Sequence, residues 1–208
     1  MTALARAPDR FELVKWYLDA VEADGTATIA YWASLAWLGV NVTWHDVSRY
    51  VPGQPPIETS SMRRVPPPAV VDRHVDWQSD RLGLHCVHEA TTPAITVTLL
   101  DDAHGRITWE CVAPSARARF DRAGEVAEGT GYAERITMTV PPWRLPIDEL
   151  RWGRWMSDDA STSLVWIDWR GALPRRWVVC NGVLHEAAAV RDDGIDLDAG
   201  RLALGAPR

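Results

Sequence analysis

A tyrosine and a glutamate stand two residues apart in segment 129–134, at Tyr132 and Glu134. If this segment is a strand, both side chains point to one face, about 7 Å apart, and the glycines before them allow a bulge or close backbone approach. A carboxyl group on an apolar face has a raised pKa and can donate a proton near neutral pH. The pattern is compatible with a catalytic acid at Glu134, supported by Tyr132. A surface glutamate paired with Arg135 or Arg151 is the alternative.

Two aspartates also stand two positions from an aromatic residue. Asp19 shares a predicted strand face with Tyr17 and Lys15, which allows either a cavity-facing group or an exposed pair of Asp19 with Lys15. Asp168 shares a face with Trp166 and is a second candidate catalytic acid. Tyr17 and Asp19 are candidate ligand contacts.

The aromatic composition indicates a cavity. The chain has 12 tryptophans but only two phenylalanines and four tyrosines. So many indoles cannot fill one small core without leaving shaped space, although each taken singly also suits ordinary packing. Arg151 and Arg154 lie on opposite faces of one predicted strand, so at most one points inward, where Arg154 would hold a substrate oxygen. The tryptophans taken as candidate ligand contacts are Trp16, Trp109, Trp152 and Trp166.

Charge and motif content exclude several function classes. The net charge is −6 and basic residues form no stripe, which argues against nucleic-acid binding. His85 and His88 fall on opposite faces of a predicted strand and the other histidines are scattered, so no metal site is expected. Neither a glycine-rich phosphate loop nor a nucleophile motif occurs, so no cofactor is expected either.

Cysteine use and hydropathy predict a cytoplasmic protein. The three cysteines, Cys86, Cys111 and Cys180, are widely spaced and form no CxxC pair, which is typical of free thiols in a reducing compartment. No signal peptide is apparent, and no stretch reaches the roughly 20 apolar residues of a membrane span. We therefore expect no membrane span and a cytoplasmic location.

Strand-like segments follow one another along most of the chain, with turn signals between them and no competing helical period. This pattern predicts an all-β fold, an antiparallel barrel or barrel-like sandwich. The predicted strands are 11–21, 27–37, 40–51, 82–89, 94–100, 106–112, 116–121, 131–140, 150–156, 163–170 and 176–180.

The domain organisation follows from these segments. Residues 1–10 form an N-terminal extension, residues 11–190 one β-barrel domain, and residues 191–208 a tail or edge strand. Within the domain, the proline-rich stretch 51–68 is predicted to be a long loop or lid, because proline donates no ladder hydrogen bond.

Four short motifs resemble, in the same order, those of the carotenoid 1,2-hydratase (hydroxyneurosporene synthase) family of lipocalin-like proteins. They are Lys15-Trp-Tyr-Leu-Asp-Ala20, the Trp109–Ala116 strand ending at Ala-Pro-Ser-Ala, Gly129-Thr-Gly-Tyr-Ala-Glu134, and Leu150-Arg-Trp-Gly-Arg-Trp155. The resemblance implies a lipocalin-like barrel and acid chemistry on an isoprenoid alkene, in which an acidic residue protonates a double bond, aromatic rings shelter the cation and water traps it.

The chain departs from that family at three positions. Glu134 replaces an aspartate, which keeps the acid but moves it by one methylene. Ile107 replaces a histidine that would hydrogen bond to the acid or to water. Lys15 replaces an acidic residue. The chain is also shorter than usual hydratases, which argues against a substrate of carotenoid length.

Three functions are compatible with these observations. The first is a cofactor-independent hydratase, isomerase or cyclase for an apolar terpenoid or polyketide-like molecule. The second is a non-catalytic lipocalin-type carrier of a hydrophobic ligand. The third is an interaction domain whose aromatic strands meet in a homodimer. The fold alone does not choose among them, because function resides in the site.

Overall fold

The computed structural model describes residues 11–157, 159–186, 188–197 and 200–203. Within them the chain forms seventeen strands and one 3₁₀ turn, Pro142–Arg144. The strands are β1 Glu12–Val21, β2 Ala27–Trp37, β3 Val40–Tyr50, β4 Ile57–Ser61, β5 Ala69–Val71, β6 His74–Ser79, β7 Leu84–Ala90, β8 Ile95–Asp102, β9 Gly105–Arg122, β10 Glu125–Met138, β11 Glu149–Met156, β12 Ser163–Arg170, β13 Arg175–Cys180, β14 Val183–Leu184, β15 Ala189–Arg191, β16 Gly194–Leu197 and β17 Gly200–Ala203. No helix in this part of the chain is long and apolar enough to cross a bilayer.

All strands pair antiparallel, in three sheets. The largest has the order β4-β3-β2-β1-β10-β9-β7-β6-β5, with β8 paired to the first half of β9. A four-stranded sheet, β11 to β14, packs over one face of it, and β15 to β17 form a third sheet. The predicted all-β antiparallel fold is confirmed in the form of a barrel-like sandwich.

The large sheet has two differently used faces, because successive side chains of a strand alternate. On β1, Trp16 and Leu18 join a core with Trp32 and Trp77, which we call the inner core. Tyr17 lies on the opposite face with the residues that meet the four-stranded sheet, which we call the cavity face. The position of each candidate residue along β1 therefore determines whether its side chain lies in the inner core or on the cavity face.

Strand β9 is longer than the sequence suggested. The sequence predicts two strands here, 106–112 and 116–121, separated near Pro114. The chain instead runs as one strand from Gly105 to Arg122. Pro114 is tolerated because β8 pairs with β9 only up to Cys111 and β7 only from Ala116. The ladder with β10 is irregular at the same place, so the missing N–H interrupts little.

The proline-rich stretch is more ordered than a loop. Strand β4 lies inside it and pairs with β3. Beyond β4 the carbonyl oxygens of Val65 and Pro66 accept hydrogen bonds, each of 3.0 Å, from the indoles of Trp32 and Trp77. These bonds tie the stretch across the end of the inner core.

Candidate functional site

Glu134 is buried on the cavity face, at 6% exposure. Its Oε2 accepts a hydrogen bond of 2.6 Å from the indole Nε1 of Trp109 on β9 and another of 2.6 Å from the hydroxyl of Tyr132. Trp109 comes into range because β9 is the neighbour of β10, and Tyr132 because it stands two residues away on the same face. Two neutral groups thus fix the orientation of the carboxyl group.

The two oxygens of Glu134 differ in their surroundings. An indole N–H only donates, so Oε2 is occupied as an acceptor, whereas Oε1 accepts no hydrogen bond from the described residues. Burial raises the pKa of Glu134, while the bonds from Tyr132 and Trp109 and the charge of Lys15 oppose that rise. Because Oε2 already accepts two hydrogen bonds, Oε1 is the oxygen on which we place the proton of the neutral acid.

The segment before Glu134 brings the backbone of β10 unusually close to its neighbours. A Cβ atom on Gly129 would lie 2.1 Å from the carbonyl oxygen of Val21, and one on Gly131 would lie 2.3 Å from the Cβ of Ala118. The register between β10 and β9 shifts just after Gly131. Both effects expected of the glycines, close approach and a bulge, occur here.

Asp19 is the second buried acid of the cavity face, at 3% exposure. Arg154 of β11 donates to both of its oxygens, from Nε and Nη2 at 2.6 Å each, and the hydroxyl of Tyr17 donates at 3.0 Å. Burial raises the pKa of Asp19, and the ion pair with Arg154 opposes that rise. This bidentate pair joins the large sheet to the four-stranded sheet.

An apolar cavity of about 320 Å³ lies between the two sheets, within the range of small-molecule sites. Its fifteen lining residues are nine aliphatic or methionine side chains, four aromatic ones (Tyr17, Tyr31, Trp152 and Trp169), and two charged ones (Lys15 and Glu134). Because Glu134 lines the cavity and its Oε2 is occupied, Oε1 is the oxygen available to a bound molecule.

The structure brings most of the predicted residues together. Seven predicted residues lie in or beside the cavity, where Trp109 and Tyr132 hold the Glu134 carboxyl group and Trp152 packs on Tyr17 and Tyr132. The predicted residues in this group are Tyr17, Asp19, Trp109, Tyr132, Glu134, Trp152 and Arg154.

Three candidates lie elsewhere. Trp16 belongs to the inner core, on the opposite face of β1 from Tyr17. Trp166 and Asp168 lie on the face of β12 that turns away from the cavity, since the alternate residues Ile167 and Trp169 line it. There Asp168 accepts a hydrogen bond of 2.7 Å from Arg170 Nε.

Two aromatic lining residues, Tyr31 and Trp169, were not among the candidates. The alternation of side chains along strands could have identified both residues. Tyr31 pairs directly with Tyr17 across β1 and β2, and Trp169 lies two residues from Ile167 on β12. What the sequence did not reveal is which face of β12 meets the cavity. Within the described ranges no group of three or more metal-binding side chains occurs.

Comparisons by sequence return nothing: no protein-family model and no curated protein matches the chain. Solved structures do match. A protein assigned as ATTH from Nitrosomonas europaea aligns with a TM-score of 0.50 and 11% identity, over 96% of this chain and 70% of its own. Kievitone hydratase from Nectria haematococca aligns with a TM-score of 0.52 and 10% identity, over 92% and 70%. The likeness is one of fold, and it places the chain with lipocalin-like barrel proteins.

Proposed function

We propose that the chain is a cofactor-independent acid–base enzyme, a hydratase, isomerase or cyclase, acting on an apolar terpenoid or polyketide-like molecule in the cavity between the sheets. One observation carries the proposal. The buried carboxyl of Glu134 lines an apolar cavity and is held by two neutral donors on Oε2, which leaves Oε1 without a hydrogen bond from the described residues. That arrangement suits a neutral acid that delivers a proton to carbon.

The chemistry needs no further group. Glu134 transfers its Oε1 proton to one carbon of a double bond, which leaves a carboxylate on the enzyme and a carbocation on the neighbouring carbon. Aromatic faces of the cavity, among them Tyr31 and Trp152, stabilise such a cation by about 0.5–2 kcal/mol each. Addition of water gives an alcohol and releases a proton, and loss of another proton gives an isomer. Attack by a second double bond closes a ring and leaves the cation on a new carbon, which then loses a proton or adds water. In each case the released proton restores the acid.

Two comparisons support this proposal without deciding it. The sequence motifs around Trp109 and Glu134 resemble those of carotenoid 1,2-hydratases. A solved structure with the same fold is named a hydratase, so this fold accommodates such a reaction. The cavity volume of about 320 Å³ favours a substrate smaller than a carotenoid.

The test is proton transfer in deuterium oxide. Purified protein is incubated with a panel of terpenoid alkenes, and mass spectrometry counts carbon-bound deuterium. We expect Glu134→Gln to lower incorporation by at least about 100-fold, because the amide oxygen still accepts from Trp109 and Tyr132 but no proton is available. Glu125→Gln, at an exposed position of the same strand, is the control and should behave as wild type.

A carrier is the second candidate, because nine aliphatic or methionine side chains line the cavity and suffice to bind an apolar ligand. A carrier incorporates no deuterium with any compound, and Glu134→Gln leaves its ligand affinity unchanged. Wild-type incorporation by the Glu134→Gln variant would show that the proton comes from another group.

A further inference from the structure

Lys15 is the only lysine of the chain, and it lines the apolar cavity. It lies on β1 between Leu13 and Tyr17, whose side chains line the same space. All 21 other basic residues are arginines, and none of them is among the residues that line this cavity. One cation therefore faces a pocket in which Glu134 is the other ionisable lining residue and the rest are aliphatic or aromatic.

The charge of Lys15 has no carboxylate partner in the described part of the chain, since no acidic oxygen lies within 4.0 Å of its Nζ. The ammonium instead lies 4.8 Å from the centre of the Tyr31 ring, a contact that satisfies none of its three hydrogen-bond donors. Of the acids nearby, Asp19 is bound by Arg154, and Glu134 is held by Trp109 and Tyr132. The charge of Lys15 also acts on the half-buried Asp46, where it opposes the rise in pKa that burial causes.

We propose that the cavity selects an apolar molecule that carries one singly charged oxygen anion, a carboxylate, and that Lys15 binds this group. The proposal rests on the proposed function, since it names the substrate class of the same cavity. A carboxylate on the ligand provides an acceptor that no described side chain supplies to this half-buried lysine, and the apolar surroundings strengthen the pairing. A diphosphate carries more charge than one lysine balances, and an amine is repelled.

Glu134 and Lys15 are arranged so that one molecule reaches both. Tyr17 pairs with Glu134 across β1 and β10, and Lys15 stands two residues from Tyr17 on the same face. The Cα atoms of residues that are diagonal neighbours on adjacent strands lie about 7–8 Å apart. The anion on Lys15 thus orients the hydrocarbon body past the acid.

The test compares four compounds with one hydrocarbon chain: farnesoic acid, farnesol, farnesylamine and farnesyl diphosphate. Affinities are measured by quenching of tryptophan fluorescence. We expect wild-type protein to bind the acid at least about tenfold more tightly than the alcohol, with the amine and the diphosphate weaker than the acid. Lys15→Met should abolish the preference for the acid and leave farnesol affinity unchanged. Lys15→Arg should keep the preference, and Arg117→Met, at an exposed site, should have no effect.

The single lysine allows a second measurement that needs no variant. Protein labelled with ¹³C at the lysine Cε gives one side-chain signal, and farnesoic acid should shift it whereas farnesol should not. Equal binding of acid and alcohol, or a preference that survives in Lys15→Met, overturns the inference while leaving the cavity and Glu134 in place. If none of the four compounds binds, both the proposed cavity function and the inference about Lys15 are wrong. If the compounds bind as expected but no deuterium is transferred, only the proposed reaction is wrong.

Discussion

Two strands of the cavity face carry the same short pattern, a tyrosine followed two residues later by an acid, and the two acids have opposite surroundings. On β1, Tyr17 donates to Asp19, and on β10, Tyr132 donates to Glu134. The antiparallel register sets each acid opposite the tyrosine of the other strand. The two buried acids are thus nearly equivalent in the sheet.

What separates them is the third partner. Asp19 meets the guanidinium of Arg154, which holds both oxygens in a bidentate ion pair. Glu134 meets the neutral indole of Trp109 on one oxygen only. Burial is the largest influence on the pKa of both acids and raises it, but only Asp19 is hydrogen bonded to a cation, which favours its carboxylate form. Asp19 thus joins the two sheets, and Glu134 is the one that we propose as the acid.

Removing the charged partner should produce the largest effect. Arg154→Met leaves the Asp19 carboxylate buried with only the Tyr17 hydroxyl, and we expect a loss of about 3–5 kcal/mol in the free energy of unfolding. Urea denaturation at pH 7 measures it. The double variant with Asp19→Asn should recover most of the loss, because no charge is left unpaired. A loss below about 1 kcal/mol in the single variant would mean that the pair behaves as an exposed one.

Removing a neutral partner should have a smaller effect that depends on pH. Tyr132→Phe deletes one donor to Glu134, with an expected loss of about 1 kcal/mol. That bond lowers the pKa of Glu134, so its loss raises the folded-state pKa further. When an acid has a higher pKa in the folded state than in the unfolded state, the free energy of unfolding falls as the pH rises from the unfolded-state pKa to the folded-state pKa. Urea denaturation should therefore show a larger deficit against wild type at pH values above the folded-state pKa of wild-type Glu134 than at acidic pH, and a constant deficit would contradict this account.

The smallest effect is expected at a third acid outside the cavity. Asp168 accepts from Arg170, which is partly exposed. Asp168→Asn should lower the free energy of unfolding by about 1 kcal/mol or less and leave affinity for farnesoic acid and deuterium transfer unchanged. Loss of transfer with intact stability would instead assign Asp168 a part in the reaction.

The alternation of side chains along a single strand allowed part of the site to be predicted from the sequence. It placed Tyr132 with Glu134, and Tyr17 with Asp19, on common faces. It could not pair Asp19 with Arg154, because their contact joins two sheets across 135 residues, and Lys15 was the nearer partner in sequence. The same limit applies to Asp168 and Trp166, whose strand packs against the cavity with its other face.

Strand prediction succeeded where segments are long and turns are marked, as in β2 and β12, whose bounds agree with the predicted ones. It was wrong for short strands beside prolines. Strand β4 lies inside the stretch 51–68, which its prolines predict to be a loop. Strands β5 and β6 follow that stretch and are not among the predicted strands, although β6 alternates between buried and exposed residues. Residues 1–10 and 204–208 lie outside the described residues, so the extension and the last part of the predicted tail are not placed.

The span of the Asp19–Arg154 pair also bears on how the chain reaches its native state. β1 is made first but pairs with β10, and Arg154 follows later still. Such distant pairings lengthen the search for the native topology and slow folding. During synthesis, Glu134 and Arg154, the partners of Tyr17 and Asp19, are added more than 100 residues after them. The cavity is thus among the last features that a nascent chain can complete.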